Sequence, residues 1–292
     1  MAITLNQLAS FLTVAREGSV SAAAEKLHVT QPSISAALAA LSRELGVQLT
    51  ERAGRGIALT AAGEAFQAYA ADVLGLVDQG KLAAVEAADR SQRTLRIVAV
   101  ATAAEYLVPS LLREFSAQHP EIGITLEVAN RNALFDRVRA HEADVGIGGR
   151  PPDDDRILGT PFMPNKLALI TAADDPLARA RSVATERLAE RTWLQRETGS
   201  GTRELVTDFL HVHGLRPQTL TLGSNGAIKQ AVQLGLGITV QSRIAVDQEL
   251  TDGRLAEIAV RGGLPKREWF ALRATSVPAR PSVEEFLTFI GK

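Results

Sequence analysis

Two short stretches of hydroxyl, amide and glycine residues have the composition of ligand-binding helix starts. The first, Thr30-Gln31-Pro32-Ser33, is followed by Ser35 and an alanine-rich segment. A glutamine can pair with two edge atoms of adenine, and a serine hydroxyl can bond to several base edges. The second, Glu197-Thr198-Gly199-Ser200-Gly201-Thr202-Arg203, combines hydroxyls with glycines that let a ligand approach the backbone. Because N–H groups at a helix start favour anions, the sequence offers two binding chemistries, one for base edges and one for an anion.

The composition limits which classes of protein these stretches can serve. With 292 residues, of which 46% are hydrophobic and 22% charged, the chain has the length of two globular domains with a sizeable core. A formal net charge of −1 favours neither nucleic acid nor an anionic membrane as a partner. The absence of cysteine removes disulfides and thiolate zinc sites. We find no export signal and no run of about 20 apolar residues, so we expect a cytoplasmic protein with no membrane partner.

Three short helices and a hairpin are predicted within the first 60 residues. Apolar side chains recur at helical spacing from Leu5 to Ala15, and Gly18 ends that helix. A second helix covers about residues 21–27. Thr30 is the predicted N-cap of the third helix, whose buried stripe consists of Ile34, Leu38, Leu41 and Leu45. The hairpin follows, with Gly54-Arg55-Gly56 at its tip.

Two helices joined by a three-residue turn, the second with an exposed polar start, suit the reading of a DNA major groove. The alanines of the third helix would then let it lie deep in the groove. An ordinary buried helix with a good N-cap fits the local pattern about equally well. Charge does not decide between the two, because residues 1–60 contain five basic and four acidic side chains. DNA binding would depend on the clustered Arg52 and Arg55 and on more than one copy of the chain.

A single long helix is predicted over residues 60–89, followed by a polar linker to residue 93. Apolar side chains recur along it at the spacing of a partner-helix seam: Phe66, Tyr69, Val73, Leu76 or Val77, and Ala84. From Thr94 onward strand and helix patterns alternate, which indicates α/β architecture with mixed or parallel sheets, including one helix over 104–118. A Pro/Asp-rich break at 150–155 suggests two lobes, about 94–161 with 266–292, and about 162–265.

Three predicted strand ends carry small polar residues, and open α/β sheets bind ligands at such ends. These corners are Ala101-Thr102-Ala103, Thr198 to Arg203, and Gly223 to Gly226. N-caps on solvent-facing loops are the alternative, but the run from Glu197 to Arg203 exceeds what capping requires. Few aromatic residues lie near the corners, so a small oxyanion or carboxylate is favoured over a large aromatic ligand. The histidines stand alone or two apart, and no acid/base or nucleophile constellation is present, so we predict neither a metal, a cofactor nor a catalytic site.

Several blocks within the first 63 residues resemble the LysR-type transcriptional regulators. These blocks are Leu8-Ala9-Ser10-Phe11, Gly18 to Ala24, Leu27 to Ser35, Leu45 to Leu49, Arg52, and Leu59 to Gly63. The resemblance implies a winged helix-turn-helix over 1–60, a dimerising linker helix and hinge over 61–93, and a two-lobed effector domain like the periplasmic binding proteins over 94–292. It also implies homotetramers that bind and bend double-stranded promoter DNA under the control of a small-molecule effector, with RNA polymerase as a further partner and no enzymatic activity.

By the same resemblance, the DNA contacts fall on the start of the third helix and on the wing: Thr30, Gln31, Pro32, Ser33, Ser35, Arg52 and Arg55. Two positions depart from the family pattern. Thr50 stands where the family usually has phenylalanine, and Ala36, Ala37 and Ala39 stand where many members carry basic residues. The second departure shifts the expected phosphate contacts from the middle of the helix to its start and to the wing.

The stretches 197–203 and 224–229 resemble the branch of the family that controls sulfur assimilation and carbon fixation, whose members sense small anions or phosphorylated metabolites. We therefore expect a small anionic effector to contact Thr102, Ala103, Thr198, Gly199, Ser200, Thr202 and Asn225, with charge supplied by Arg150 or Lys229. The alternative is an enzyme or ligand-binding protein on a binding-protein-like fold, with the N-terminal helices as an interaction module. It would need a convergent catalytic constellation, which the sequence does not show.

Overall fold

The structure, a computed structural model, describes residues 2–54 and 56–291 and divides into two compact units. The first unit comprises the chain up to Asp89 with two short segments, 139–142 and 276–278, and the second comprises the remainder. Each unit has its own apolar core, around Phe11 and Leu41 in the first and around several buried strands in the second. Among the described helices, none combines the length and the apolar character that crossing a bilayer would need.

Three helices open the first unit, and each begins at a hydroxyl N-cap. They are α1 (Leu5–Glu17), α2 (Val20–Lys26) and α3 (Gln31–Leu45), capped by Thr4, Ser19 and Thr30. Gly18 and Gly46 end α1 and α3 with φ of 63° and 73°, a left-handed conformation that glycine adopts without strain. The predicted stripe of α3 is buried at Ile34, Leu38 and Leu41, with Leu45 packed at its edge. The caps and the stripe confirm the sequence-based prediction for this segment.

The predicted hairpin is a two-stranded antiparallel sheet of β1 (Thr50–Ala53) and β2 (Gly56–Leu59). The long helix α4 (Ala61–Ala88) follows at once, capped by Thr60, whose hydroxyl accepts a bond from the Gly63 N–H at 3.1 Å. A Cβ atom at Gly63 would lie 2.0 Å from the carbonyl oxygen of Leu49, so only glycine allows α4 to start this close to the hairpin.

The predicted seam of α4 is only partly free for a partner. Tyr69, Val73 and Leu76 are exposed, as the sequence pattern predicts for residues that pack against a helix of a second copy of the chain. Phe66 is different, because its ring packs 5.6 Å from that of Phe11 inside the core of the first unit. The prediction of Phe66 as a seam residue is therefore wrong, and the apolar spacing that suggested it reflects packing within the same chain.

The second unit alternates strands and helices, as predicted. In chain order its elements are β3 (Thr94–Val100), α5 (Ala101–Tyr106), α6 (Val108–Gln118), β4 (Gly123–Ala129), α7 (Arg131–Arg139), β5 (Val145–Gly148), β6 (Ile157–Asn165), β7 (Leu167–Ala172), β8 (Trp193–Gln195), α8 (Gly201–Val212), β9 (Thr219–Thr221), α9 (Asn225–Gln233), β10 (Thr239–Ser242), α10 (Asp247–Thr251), β11 (Leu255–Glu257), β12 (Arg267–Ala274) and α11 (Pro281–Ile290).

Two separate sheets define two lobes within this unit. Lobe I contains a five-stranded mixed sheet in the order β4-β3-β5-β12-β6, in which β12 runs antiparallel to both its neighbours. Lobe II contains the antiparallel sheet β10-β7-β11 and the parallel pair β8-β9. The chain passes between the lobes twice, through Lys166 after β6 and through residues 258–266 before β12.

Proline accounts for two differences from the sequence-based expectation. Strand β6 was not predicted, because Pro161 and Pro164 interrupt its pattern, and β6 tolerates them as the edge strand of its sheet. The change of lobe therefore lies at Lys166 rather than after residue 161. The helix predicted over 104–118 is in fact two helices, α5 and α6, because Pro109 at the start of α6 has no N–H for the carbonyl of Glu105.

Candidate effector cavity and DNA-facing helix

The start of α3 presents its polar side chains to solvent. Gln31, Pro32, Ser33 and Ser35 are all exposed, and so are Ala36 and Ala39 on the following turn. The Thr30 hydroxyl accepts a bond from the Ser33 N–H at 3.4 Å and lies 2.8 Å from the Ser33 hydroxyl. Arg52 is exposed on β1, whereas Arg55 lies outside the described residues. The helix thus exposes an amide, several hydroxyls and a small alanine face, which is the surface that a recognition helix needs in a major groove.

A cavity of about 320 Å³ lies between the two lobes of the second unit, within the size range of small-molecule sites. Three of the residues predicted to contact an effector line it: Thr102, Ser200 and Thr202. Thr102 comes from α5 of lobe I, and the other two come from the start of α8 in lobe II. Ser200 caps α8, accepting a bond from the Thr202 N–H at 3.3 Å. Two of the three predicted corners therefore meet at one cavity.

Six predicted contacts do not line the cavity, and four of them are Ala103, Thr198, Gly199 and Arg150. Ala103 is fully buried in the core of lobe I, because the first turn of α5 points it away from the cavity. Thr198 is exposed and does not line the cavity. Gly199, with φ of 85°, serves the turn before α8, and its carbonyl accepts a bond from the Arg131 N–H at 3.0 Å. Arg150 has an exposed side chain, and only its carbonyl reaches the neighbourhood, as an acceptor for Arg131 at 3.0 Å.

Lys229, the other residue predicted to supply charge, is held by a different set of partners. Its ammonium lies 2.7 Å from Glu249 and donates to the Tyr106 hydroxyl at 3.0 Å. Burial alone would lower the pKa of Lys229, but the bonds to Glu249 and Tyr106 and their charges raise it above its usual value. For Glu249 burial would raise the pKa, and the bonds from Lys229 and from its own backbone, with nearby positive charge, lower it. Lys229 is therefore protonated, and its charge is balanced by Glu249 inside the protein. It does not line the cavity.

Three arginines that the sequence analysis did not single out line the cavity instead: Arg131, Arg196 and Arg267. Two of them have acidic partners. Arg131 lies 3.1 Å from Glu204 and stacks 4.5 Å from the ring of Phe135. Arg196 donates two hydrogen bonds to Glu197, at 2.7 Å and 2.9 Å.

The pairing of Arg196 with Glu197 leaves this side of the cavity close to neutral. Burial would raise the pKa of Glu197, but the hydrogen bonds from Arg196 and from its own backbone, together with the guanidinium charge, hold that pKa below its usual value. Glu197 is therefore ionised at neutral pH and offsets the charge of Arg196. The cavity keeps a positive charge only if another group supplies it.

Arg267 is that group. Within the described residues no carboxylate forms an ion pair with it, and the one hydrogen bond of its guanidinium runs to the carbonyl of Gly201 at 3.4 Å. Burial lowers the pKa of Arg267, and the charge of Arg131 lowers it further, although the charges of Glu204 and Asp208 act in the opposite direction. Because a guanidinium stays protonated in proteins, this arrangement leaves a poorly compensated positive charge at the cavity wall.

The backbone near Arg267 makes room for its side chain. A Cβ atom at Gly149, the residue after β5, would lie 2.9 Å from an Nη atom of Arg267. Arg267 is the first residue of β12 and pairs with Asn165, the last residue of β6. Because β12 runs antiparallel to the strands beside it, its first residue lies at the same sheet edge as the carboxyl end of β5, where ligands of such sheets bind.

Asn225, the last of the predicted contacts, lies behind the cavity wall rather than on it. Its side-chain amide accepts a hydrogen bond from Nη1 of Arg196 at 2.6 Å and donates one to Oγ1 of Thr102 at 3.2 Å. The residue is 1% exposed and does not line the cavity. It therefore connects a cavity arginine of lobe II to a cavity hydroxyl of lobe I.

A second polar cluster lies away from the cavity, at the far end of α6. His119, Glu121 and Glu285 bring their side-chain ligand atoms within 4.8 Å of one another, so His119 is not isolated as expected from sequence. The buried guanidinium of Arg93 lies 3.2 Å from Glu121 and 2.8 Å from Glu285. Because an arginine already occupies the space between the two carboxylates, the cluster has the character of an ion-pair network rather than of a metal site.

A helix-turn-helix with a wing, a long helix and a two-lobed α/β domain around a polar cavity define a ligand-responsive DNA-binding regulator. Family profiles agree with this class. Residues 5–64 match the bacterial regulatory helix-turn-helix proteins of the lysR family, and residues 88–292 match the LysR substrate binding domain. The chain belongs to the LysR-type transcriptional regulators. Members of this family bind promoter DNA and small-molecule effectors and form oligomers, and the alternative of an enzyme with an interaction module is not favoured.

Individual proteins and solved structures show similarity over most of the chain or over its second unit. The chain is 33% identical over 290 residues to the RuBisCO operon transcriptional regulator of Acidithiobacillus ferrooxidans, covering 98% of this chain and 93% of that one. A full-length OxyR variant from Pseudomonas aeruginosa superposes with a TM-score of 0.72 at 26% identity, covering 99% and 95% of the two chains. The regulatory domain of Synechocystis CcmR, solved in complex with 2-PG, superposes with a TM-score of 0.64 at 32% identity, covering 68% of this chain and 95% of that one.

Proposed function

We propose that this regulator binds a small oxyanion in the cavity between its lobes, and that the bound anion changes how its DNA-binding heads engage a promoter. The poorly compensated charge of Arg267 carries the proposal, because a half-buried guanidinium that forms no ion pair with a carboxylate among the described residues is stabilised by an anionic ligand. The hydroxyls of Thr102, Ser200 and Thr202 face the same cavity and can donate to such a ligand. The 2-PG complex of CcmR supports a small ligand at the corresponding domain.

Isothermal titration calorimetry on the full-length protein tests the anion site, with 2-PG, inorganic phosphate and a neutral polyol as probes. We expect the anions to bind and the polyol not to bind. Arg267→Gln should weaken anion binding by about ten- to hundredfold, the value of hydrogen bonds to a charged group. Arg150→Gln is the matched control, because its exposed side chain does not line the cavity. Equal losses in both variants, or tight binding by Arg267→Gln, would refute the assignment.

The heads are proposed to act on DNA in pairs or fours. Exposed apolar side chains of α4, among them Tyr69, Val73 and Leu76, offer the surface on which a second copy can pack. Dimers that pair into a tetramer would place several recognition helices on one promoter and offset the weak charge of each head. Anion binding would shift the population of lobe arrangements and thereby the spacing of the heads and the bend of the DNA.

The proposed action on promoter DNA also bears on enzymatic activity, on a further protein partner and on the cellular compartment. We propose that the protein is not an enzyme, because its named relatives are regulators. The side chains that line its cavity are suited to binding an anion rather than to catalysis. RNA polymerase is the further partner that we expect at a promoter, and the cytoplasm, where bacterial promoters lie, is the expected compartment.

A footprint on the DNA upstream of the protein's own gene tests DNA binding. Half-sites protected on one face of the duplex at multiples of about 10 base pairs would support a multivalent helix-turn-helix regulator. Addition of the anion identified by calorimetry should change the protected length or the hypersensitive bands between half-sites. Protection no better than on a random fragment, at every salt concentration, would contradict the proposal for this promoter.

A further inference from the structure

We propose that Asn225 is a positioning residue that fixes the direction of the Thr102 hydroxyl, so that the cavity accepts only a hydrogen-bond acceptor at that point. The inference deepens the proposed anion site and rests on it. It names the group that must face lobe I: a hydrogen-bond acceptor such as a carboxylate or phosphate oxygen, and not an amide N–H or an ammonium. Three hydrogen-bonding steps lead to it.

The first step is the immobility of Arg196. Its Nε and Nη2 atoms donate to the two carboxylate oxygens of Glu197, at 2.7 Å and 2.9 Å. Two parallel bonds to a planar carboxylate fix the plane and the rotation of a guanidinium. Nη1 is thereby directed at the side chain of Asn225, 2.6 Å away.

The second step is the orientation of the Asn225 amide. Arginine has only donors, so the amide atom that faces Nη1 must be the oxygen. The amide nitrogen then faces Oγ1 of Thr102 at 3.2 Å and donates to it. With Asn225 only 1% exposed, water does not compete for either bond, and the reversed amide would place two donors against each other.

The third step concerns the proton of Thr102. A hydroxyl has one proton to donate, and here its oxygen already accepts from Asn225. Within the described part of the chain, Thr102 Oγ1 has no other hydrogen-bond partner, although the residue is 7% exposed and lines the cavity. The hydroxyl proton is therefore free to point at a ligand, and a ligand that offered a donor there would leave two donors facing each other.

The Thr102 hydroxyl thus selects the polarity of the ligand, and Arg267, which also lies on lobe I, selects its charge. A small oxyanion satisfies both conditions with different oxygens of the same group or of two groups. An isosteric ligand with an N–H at the Thr102 position would lose about ten- to hundredfold in affinity, because a buried hydrogen-bonding group would remain unmatched.

We call the chain of hydrogen bonds from Glu197 through Arg196 and Asn225 to Thr102 the relay. The substitution Asn225→Asp tests it with almost no change in the shape of the side chain. The carboxylate would still accept from Arg196, but it would present an oxygen to Thr102, which would then donate to it and turn its lone pairs toward the cavity. We expect the affinity for inorganic phosphate and for 2-PG to fall by about thirtyfold in calorimetry on the full-length protein, since a buried acceptor then faces an anion. Asn225→Ala should fall less, because a free hydroxyl can still rotate to donate.

That order distinguishes the relay from a packing role, because a side chain needed only for packing would suffer more from alanine than from aspartate. Charge repulsion by the new carboxylate is separated by a double-mutant cycle with Thr102→Val, which removes the hydroxyl. In the Thr102→Val background, Asn225→Asp should cost at least about fivefold less than in the wild type. Thr102→Ser keeps the hydroxyl and should retain full sensitivity to Asn225→Asp.

The outcomes separate the relay from the anion site itself. If wild-type protein binds neither phosphate nor 2-PG, the anion site fails, and the relay fails with it. If the wild type binds an anion but Asn225→Asp has the same effect with and without the Thr102 hydroxyl, only the relay is overturned. Thermal melting of each variant identifies loss of fold, and if Asn225→Asp fails to fold, the comparison of Asn225→Ala with and without Thr102→Val decides in its place.

Discussion

The start of α3 and the lobe cavity bind their partners by opposite physical means. At α3 the polar groups are exposed, follow one another in the chain and lie in a segment whose basic and acidic residues nearly cancel. In the cavity the groups come from distant parts of the chain, are largely enclosed, and include a guanidinium without a carboxylate partner among the described residues. The first surface can read base edges but attracts phosphates weakly. On the proposed function, the second attracts an anion more strongly but within a small volume.

On the proposed function, this contrast explains why several copies of the head act together on DNA, whereas one anionic group is sufficient for each cavity. Exposed charges are screened by salt over about 8–10 Å, whereas the half-buried guanidinium of Arg267 is screened less. Each head therefore contributes modest affinity, and the assembly multiplies it. A change in assembly geometry that moves the heads out of register is then sufficient to switch DNA binding, and a single anion can supply it by differential binding to two lobe arrangements.

The largest expected change, a loss of stability, belongs to Lys229→Met. The same variant tests whether Lys229 contributes to anion binding in addition to Arg267. The substitution leaves Glu249 without its partner in a position where both side chains are mostly buried. We expect a loss of about 3 kcal/mol in the free energy of unfolding, as for other broken buried pairs. Anion affinity of the folded protein should change little. Urea denaturation and calorimetry on the same samples measure the two quantities, and Lys229→Arg is the conservative control.

The same pair predicts a pH dependence with a definite sign. The pKa of Glu249 is lowered in the fold, so its stabilising contribution is present above the usual value of 4.5 and is lost as the pH falls through the lowered pKa. The pKa of Lys229 is raised, so its contribution is present below 10.5 and is lost as the pH rises through the raised pKa. The difference in stability between wild type and Lys229→Met should therefore be flat near neutral pH and shrink in acid. If this difference in stability grew in acid, or if Lys229→Met selectively lost anion binding, the result would support Lys229 as an effector-contacting residue.

Gln31→Ala should have the next largest effect and acts only on the other surface. A bidentate glutamine–adenine contact contributes about 1–3 kcal/mol of discrimination, so operator affinity should fall by about ten- to hundredfold. Gln67→Ala, an exposed glutamine on α4, is the matched control and should leave DNA binding unchanged. Fluorescence anisotropy on operator and scrambled DNA measures the change. An equal loss on both DNAs would show that Gln31 contacts the backbone rather than a base.

The contrast between the two surfaces also determines how far sequence alone could predict them. The start of α3 is contiguous, and its cap, its helix and its exposure follow from local rules that Thr30, Pro32 and Gly46 obey. The cavity is different, because Arg267 reaches it only through the antiparallel placement of β12, which no local pattern specifies. Arg196 was the last residue of a strand predicted over 193–196 and directly follows the observed β8, and that position was a signal that could have identified it.

The two residues predicted to supply charge illustrate the same limit of local sequence patterns. Arg150 and Lys229 were chosen because they lie close in sequence to polar corners, but proximity along the chain does not show whether a charge is exposed or already paired. Arg150 proves exposed and Lys229 proves paired with Glu249, and both facts depend on tertiary contacts. Hydroxyl positions were easier to predict, since Ser200 must cap α8 and Thr102 must follow β3 whatever the rest of the chain does.

Thr30 gives the smallest expected effect and the finest test of the contrast, because it belongs to the fold and to the DNA-facing surface at once. Thr30→Ala removes the N-cap of α3 and should cost about 1 kcal/mol of stability. Thr30→Asp keeps a capping oxygen and adds a negative charge at a helix start, where the helix dipole favours it, so stability should be retained. The two variants therefore separate capping from DNA contact.

On DNA the order of these variants should reverse. Thr30→Ala should weaken operator binding only severalfold, in proportion to fraying of the helix start, whereas Thr30→Asp should weaken it more because its carboxylate faces the phosphates. That difference should shrink as salt rises, since the interaction is exposed and screened. Thermal melting and anisotropy at two salt concentrations test both statements. If Thr30→Asp bound operator as tightly as the wild type at low salt, the start of α3 would not lie near the DNA backbone. The near-neutral charge of residues 1–60 would then argue against α3 as the reading helix.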